Sequence, residues 1–442
     1  MSRVLRPITV VEPGEAKTAL LLTLNVYLLL SAYYVLKPVR EALILAMPSG
    51  PEYKAYMSGA IALLLLFAVP AYAQFVDRLP RARLVITTTL FFAANLMLFR
   101  VALAVPALTA QLGLVFYAWV GIFGVMGVAQ FWSFASDLYD EERGTRLFPL
   151  LALGGSLGAV CGAKGSAVLI PIWGVPAMFV LGTAQLCACA ALFWLVERRE
   201  QNARREAVPQ AQARAKSAPP GAASGAFSLV FSNRYLLLVA AFSLTFAWVN
   251  SNGEYMLGKL VRAAALAALP HATKAELAVQ IGKSYGDIFT YVNLLGFLLQ
   301  TFVVARLLRR FGFRLCFLIV PFIAFGDAAA VAVAPVLAVI MVGKVAENAA
   351  DYSLNNTVRQ LLWLVTTREQ KYKAKQAIDT FIVRLGDVSS GISVWLGAGL
   401  MALGVRYFAL LNLILCGVWL TLALVIGRVY GTLSAQGDAT PR

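Results

Sequence analysis

Apolar runs of about twenty residues recur along the whole chain, and they restrict its possible folds more than any other feature. A helix needs about 20 apolar residues to cross the hydrocarbon core of a bilayer. Of the 442 residues, 60% are hydrophobic and 14% are charged, whereas about a quarter of the residues of a soluble domain are charged. This composition excludes a water-soluble monomer and predicts a polytopic, all-α membrane protein.

Charged residues, prolines and glycines divide the apolar runs into twelve predicted transmembrane helices. These helices are 19–46, 55–76, 84–105, 111–138, 147–171, 176–196, 234–258, 284–305, 315–334, 337–365, 377–402 and 406–427. The longest hydrophilic stretch separates the first six from the last six. We therefore predict an N-terminal six-helix bundle at 1–196, a flexible cytoplasmic linker at 197–233 and a C-terminal six-helix bundle at 234–442.

The basic residues predict the orientation in the membrane. The formal net charge is +16, and most of the surplus falls in loops on the side that also holds the termini. Because short cytoplasmic loops are rich in Lys and Arg, we expect both termini to be cytoplasmic, in a bacterial inner membrane. The net positive charge is therefore explained without a nucleic-acid partner. The expected partners are the bilayer and a small anionic substrate, and we expect a monomer.

Ionisable residues inside the predicted helices are candidate functional residues, because each costs roughly 2.5–3.5 kcal/mol to insert. Some of them are spaced to neutralise each other on one helix. These pairs are Lys37 with Glu41, Lys344 with Glu347, and Arg384 with Asp387. Three other cations have no acidic partner at helical spacing, which makes them candidate anion-binding residues: Arg40, Lys164 and Arg359. Alternatively, each pairs with a carboxylate on another helix, where Glu254, Asp327 and Asp351 are available.

The tenth predicted helix carries a polar face whose residues are three or four positions apart. The face consists of Lys344, Glu347, Asp351, Asn355 and Arg359. Such a face belongs in a bundle interior or on a water-filled cavity, not against lipid. In the seventh predicted helix, no residue at helical spacing neutralises Glu254. Glu254 is therefore expected to pair with a substrate-site arginine in the empty state or to take up a proton.

Two predicted helices contain helix-breaking residues at matching positions, about twenty residues from their start. The first helix has Lys37-Pro38-Val39-Arg40-Glu41, and the seventh has Asn250-Ser251-Asn252-Gly253-Glu254. In transporters built from repeats, interrupted helices at matching positions mark the binding site. We predict broken helices here, with a simple proline kink as the alternative.

In the fifth helix, a row of small residues predicts close packing against another helix. These residues are Gly154, Gly155, Gly158 and Gly162.

Two loops with basic residues lie at equivalent places in the two halves. They are Asp77-Arg78-Leu79-Pro80-Arg81-Ala82-Arg83 and the segment Arg306–Arg314. Together with the six-plus-six arrangement, they resemble the major facilitator superfamily, which implies a major-facilitator-like fold.

Four stretches resemble the ATP/ADP antiporter family of nucleotide transporters. They are Leu36–Leu43, Phe131–Ala135 followed by Leu153-Gly154, Asn252-Gly253-Glu254 through Lys259, and Asp351–Asp379. The resemblance implies that Arg40, Lys164 and Arg359 occupy required basic positions of the family and that Glu254 is its essential glutamate.

The sequence thus predicts a secondary active transporter, not an enzyme, that exchanges nucleotides of the ATP/ADP type by alternating access. Charge-assisted hydrogen bonds to phosphate would come from its cations. The predicted substrate-binding residues are Lys37, Arg40, Lys164, Glu254, Lys344, Glu347, Asp351, Asn355 and Arg359. No Cys/His cluster suggests a metal site, and we expect no cofactor. Transport of another phosphate-bearing or organic anion, with or without proton coupling, stays open. So do a membrane scaffold or sensor and a polytopic membrane enzyme.

Overall fold

The structure is a computed structural model that describes residues 15–76, 80–206, 224–367 and 369–438, and helices account for nearly all of these residues. Part of the superfamily-like loop, residues 77–79, and the middle of the predicted linker, residues 207–223, lie outside the described residues. The all-α prediction is confirmed for the part of the chain that is described.

Helices of very different lengths follow one another along the chain. Those before the linker are α1 Ala16–Leu45, α2 Gly50–Val76, α3 Arg81–Ala102, α4 Pro106–Leu138 and α5 Glu141–Glu206. Those after it are α6 Ser224–Ser232, α7 Arg234–Ala268, α8 Lys274–Leu298, α9 Val304–Val333, α10 Leu337–Ala350, α11 Asn356–Leu361, α12 Lys375–Ala377, α13 Val383–Val394 and α14 Val405–Asp438. Wider π-helical turns occupy Leu299–Val303, Asp351–Asn355, Gln370–Ala374, Ile378–Ile382 and Trp395–Leu400.

Two of these helices bend sharply at a glycine. Gly174 in α5 has φ 75° and Gly312 in α9 has φ 70°, a backbone conformation that costs glycine little and other residues more. The predicted gaps between helices at 172–175 and 306–314 contain these two glycines, although the other residues of both gaps are helical.

Seven helices within the described residues are long and apolar enough to cross a membrane. Two of these segments, Glu142–Gln201 and Lys274–Val333, are each 60 residues long and contain the bends at Gly174 and Gly312. The protein is therefore an integral membrane protein. The count of twelve crossings stays a prediction.

The predicted breaks at Pro38 and at Asn250–Glu254 are wrong, because α1 and α7 run through both segments without interruption. The buried amide of Asn252 donates to Asn412 Oδ1 at 3.1 Å and accepts from Ser390 Oγ at 2.7 Å. A Cβ at Gly253 would lie 3.1 Å from Lys344 Nζ. These two residues therefore serve packing between helices and not a local turn.

The described residues fall into two compact units. Unit 1 lies within Met1–Pro48, Leu64–Ala215 and Leu269–Asn293, and unit 2 lies within Ser49–Leu63, Lys216–Ala268 and Leu294–Arg442. The predicted domain limits stay a prediction, since the units divide the chain at other places.

Close packing of α1 against α5 organises unit 1. Built Cβ atoms at Gly158 and Gly162 would lie 2.2 Å from the carbonyl oxygen of Tyr27 and 2.4 Å from that of Ser31. No larger side chain fits at either place, so the predicted role of these glycines in helix packing is confirmed.

Unit 2 has its own apolar core. The rings of Phe242 and Phe317 stack with centroids 4.5 Å apart, and Phe242 also contacts Trp419 at 5.5 Å. All three side chains are buried, so α7, α9 and α14 pack against one another through these rings.

Candidate functional site

In unit 1, Arg40 of α1 is held by a carboxylate and an aromatic ring. Its Nε and Nη2 donate to Glu41 Oε1 at 3.1 and 2.5 Å. The guanidinium also lies over the ring of Tyr117, 4.3 Å from the centroid. Such cation–π contacts are stronger when they are desolvated, and the Arg40 side chain is only 13% exposed. The guanidinium of Arg40 is therefore held between a carboxylate and an aromatic ring.

The two other predicted cations of unit 1 have different surroundings. The Nζ of Lys37 lies 4.2 Å from the ring centroid of Phe289 and 5.3 Å from that of Tyr34. The Nζ of Lys164 lies 3.4 Å from Asp287 Oδ1, and this lysine is largely exposed. Unit 1 therefore offers one nearly buried cation, Arg40, and one accessible cation, Lys164.

In unit 2, Lys344 of α10 is the centre of a buried polar cluster. Its Nζ donates to Asn250 Oδ1 at 3.0 Å and to Glu347 Oε2 at 3.1 Å, and the side chain is 0% exposed. The predicted Lys344–Glu347 pair is confirmed, as is the Arg384–Asp387 pair at 3.1 Å. Because a buried ion pair loses the hydration of both groups, it persists only with further hydrogen bonds. Asn250 supplies one of them.

Glu254 of α7 joins the same cluster. Its carboxylate accepts from Lys54 Nζ at 3.1 Å and from Asn348 Nδ2 at 3.3 Å. Its Oε1 lies 3.9 Å from Lys344 Nζ. Lys54 and Lys344, which lie on other helices, thus neutralise Glu254, for which α7 itself offers no basic partner at helical spacing.

The polar face continues through a π-helical turn into α11. The Nδ2 of Asn355 donates to Asp351 Oδ1 at 2.7 Å within that turn. Lys344, Glu347 and Asn355 are buried inside unit 2, which confirms that these residues of the face do not contact lipid. Single π-helical turns occur often at functional sites because they rotate side chains out of the regular α-helical register.

Arg359 lies at the far end of this face, beside a cavity of about 210 Å³. Its Nη2 donates to Asp379 Oδ1 at 3.0 Å, and the guanidinium lies 5.5 Å from the ring centroid of Phe246. Lys375, whose Nζ donates to Gln360 Oε1 at 2.6 Å, also lines the cavity. The cavity therefore presents two cations and one carboxylate.

The alternative that these cations pair with a carboxylate on another helix is confirmed for Lys164 and Arg359, which pair with Asp287 and Asp379. Arg40 pairs with its neighbour Glu41 on the same helix. None of these three acids is among the partners considered from the sequence. Helical spacing cannot reveal Asp287 or Asp379, because both lie on other helices. Glu41 directly follows Arg40, and neighbouring side chains on a helix normally point apart.

The predicted site residues divide between the units. Unit 1 holds Lys37, Arg40 and Lys164, while unit 2 holds Glu254, Lys344, Glu347, Asp351, Asn355 and Arg359. Within unit 2, Glu254, Lys344 and Glu347 form one cluster.

Sequence reasoning missed Lys54 and Asn348, the neighbours of Glu254. Lys54 stands one residue before a predicted membrane span and was assigned to the loop, whereas α2 already begins at Gly50.

Long apolar helices and buried ionisable clusters define a polytopic membrane protein, and solved structures share its major-facilitator-like fold. A nucleoside transporter, NupG, aligns with a TM-score of 0.58 at 13% identity, over 93% of this chain and 99% of that one. A bacterial homologue of the iron transporter ferroportin, in an inward-facing state, gives a TM-score of 0.65 at 13% identity, over 94% of this chain and 100% of that one.

Sequence comparison identifies the family. The profile of the TLC ATP/ADP transporter family matches residues 113–430, so the chain belongs to this family, as the sequence motifs indicated. The ADP,ATP carrier protein 1 of Chlamydia trachomatis is 23% identical over an alignment of 375 positions, and the match covers 73% of this chain and 66% of the carrier. The corresponding carrier of Chlamydia muridarum is 23% identical over 374 residues. The chain thus spans just under two thirds of the length of the curated relatives it matches.

Proposed function

We propose that this protein exchanges ATP for ADP across a membrane as a secondary active transporter with alternating access. The observation that carries the proposal is the match of residues 113–430 to a family of ATP/ADP transporters. The names of the chlamydial relatives, ADP,ATP carrier protein 1, support the same substrate class. Buried and half-buried cations in both units supply the chemistry that a polyphosphate needs.

The cations would bind phosphate by replacing a carboxylate. Arg40, Arg359 and Lys344 each contact an acidic side chain. A phosphate oxygen accepts the same N–H donors as a carboxylate oxygen, and Arg presents them in a planar fork that suits either group. The phosphate groups of an incoming nucleotide therefore replace the carboxylate at each cation, so no cation is left without an anion.

The same ion pairs favour exchange over one-way transport. When a nucleotide leaves, Glu41 and Asp379 pair again with Arg40 and Arg359, and reorientation of the empty protein would have to break these pairs. The more exposed Arg359–Asp379 pair contributes little to this barrier. Breaking the nearly buried Arg40–Glu41 pair leaves two desolvated charges unless another anion replaces the carboxylate. A second nucleotide supplies that anion.

The remaining predicted residues complete the proposed site. Lys37 and Lys164 would add positive charge in unit 1, and Glu254 and Glu347 would hold Lys344 in place until substrate arrives. In unit 2, Asp351 and Asn355 would set the position of the helical segment that carries Arg359.

We propose a bacterial inner-membrane protein with both termini in the cytoplasm, acting as a monomer with no nucleic-acid partner. In this view the functional halves are the bundles at 1–196 and 234–442, with 197–233 between them. The clustering of Lys and Arg in alternate loops supports the orientation.

Uptake of labelled ATP into proteoliposomes tests the function. Liposomes loaded with ADP should accumulate ATP much faster than empty liposomes, because exchange requires a counter-substrate. Liposomes loaded with inorganic phosphate or a dicarboxylate test other organic or phosphate-bearing anions. Equal ATP uptake into ADP-loaded and empty vesicles contradicts exchange, and no ATP uptake under any condition contradicts nucleotide transport.

A further inference from the structure

Asp327 of α9 is a buried acid that the proposed exchange does not use. It is 8% exposed, and its Oδ1 has no hydrogen-bond partner among the described residues. The carboxylate packs directly against α10, since a Cβ built at Gly343 would lie 1.7 Å from Oδ1. Asp327 therefore lies next to Lys344, one residue further along α10.

Glu347 presents a second incompletely bonded carboxylate to the same space. Its Oε2 accepts from Lys344 at 3.1 Å, while its Oε1 has no hydrogen-bond partner among the described residues. Asp327 lies within electrostatic range of both Glu347 and Lys344. Two buried carboxyl groups, each with one unsatisfied oxygen, thus share one ammonium group.

The other charged and titratable groups around this pair do not balance the second carboxylate. Glu254 of α7 lies 3.9 Å from Lys344 Nζ, but its charge is balanced by Lys54 at 3.1 Å. Asp351 bonds Asn355 and faces Arg359, and the thiol of Cys416 in α14 also lies nearby. Lys344 is therefore left to balance two acids, Glu347 and Asp327. If both were ionised, one negative charge would be buried without compensation, which proteins avoid by protonation or by binding a cation.

A metal ion is not indicated at this place. Within the described part of the chain, no group of three or more His, Cys, Asp or Glu residues is arranged to hold one. A proton is the remaining cation, because protonation of one of the two carboxyl groups leaves Lys344 balanced by the other.

We propose that the cluster of Asp327, Glu347 and Lys344 holds one carboxyl proton at neutral pH, and that this proton determines how strongly Lys344 attracts an anionic substrate. With the proton bound, the cluster of Asp327, Glu347 and Lys344 is neutral. Without it, the cluster carries a net negative charge that repels a nucleotide. The effect of the proton on substrate binding rests on the proposed nucleotide exchange, whereas the presence of the proton does not.

Infrared difference spectroscopy of the purified protein tests the proton directly and without substrate. The wild type should show the C=O band of a protonated carboxyl group at neutral pH, and the band should vanish at alkaline pH. Asp327→Asn and Glu347→Gln should each lose the band, since the remaining acid then pairs with Lys344. The matched control Asp140→Asn, at a side chain that is 68% exposed, should keep it. Absence of the band in the wild type, or its persistence in both cluster variants, overturns the proposal.

ATP affinity at neutral and alkaline pH, measured by calorimetry, tests the link to substrate. The wild type should bind ATP roughly tenfold more weakly at alkaline pH, while Asp327→Asn should bind equally at both. Equal wild-type affinity at both pH values refutes the link, even where the infrared band is present. A wild type that binds no ATP at either pH refutes the proposed function, and the infrared result still decides whether the proton is there.

Discussion

The Nζ of Lys344 lies 3.1 Å from Oε2 of Glu347 in the interior of unit 2, and the two side chains are 0% and 4% exposed. A buried ion pair contributes little net stability relative to an apolar pair, but removing one partner leaves the other charged and desolvated. The pair therefore keeps the lysine charged in an apolar surrounding, where a substrate anion can compete for it.

The first prediction concerns the stability of this pair. Lys344→Met should destabilise the protein by about 3–5 kcal/mol, because Glu347 then loses its cation inside the fold. The double variant Lys344→Met with Glu347→Leu should recover much of that loss, since no unpaired charge remains. Unfolding temperatures of the purified proteins in detergent measure both effects. A double variant that is no more stable than Lys344→Met contradicts this explanation.

The second prediction concerns the contact between Asp327 and α10. Gly343→Ala places a methyl group 1.7 Å from Asp327 Oδ1, so the Asp327 side chain or one of the two helices must shift. Overpacking of this kind costs about 1–3 kcal/mol or more. The matched control is Gly417→Ala in α14, where a Cβ meets no atom within 4 Å. The control should leave the unfolding temperature unchanged or slightly raised, and an equal loss in both variants would show that the Asp327 contact is not the cause.

The third prediction concerns the carboxylate that holds Arg359. Asp379→Asn removes the anion that competes with substrate for the guanidinium, 3.0 Å away. The KM for ATP should therefore fall several-fold, while Arg359→Ala should raise it. Glu369→Gln is the control, because its pair with Lys373 is exposed on both sides and should contribute little. An unchanged or higher KM in Asp379→Asn would show that Asp379 does not compete with substrate.

Features determined by the residue pattern along one helix could be predicted from the sequence. The Lys344–Glu347 and Arg384–Asp387 pairs follow from helical periodicity, and the close packing at Gly158 follows from the row of small residues in α5. The predicted interruption at 172–175 contains the bend at Gly174, because prolines and glycines punctuate the apolar run there.

Contacts between distant helices could not be predicted. Lys54 and Glu254 are 200 positions apart, and nothing in either local sequence indicates the other. The same limit explains the wrong interpretation of Asn252 and Gly253. Asn-Gly favours a turn in isolation, but here the asparagine bonds Ser390 and Asn412 and the glycine leaves room for Lys344. Tertiary packing overrides the local preference.

The rate of ADP-driven ATP uptake in Arg40→Ala and Arg359→Ala tests most directly whether these cations carry the nucleotide. Both variants should lose at least about tenfold in uptake, which corresponds to about 1.4 kcal/mol of lost interaction, while Glu369→Gln should transport normally. Arg40→Lys should fall between wild type and Arg40→Ala, since lysine keeps the charge but not the planar donors. Wild-type rates of exchange in both alanine variants, at equal protein content in the vesicles, would contradict the assignment of these cations to the substrate.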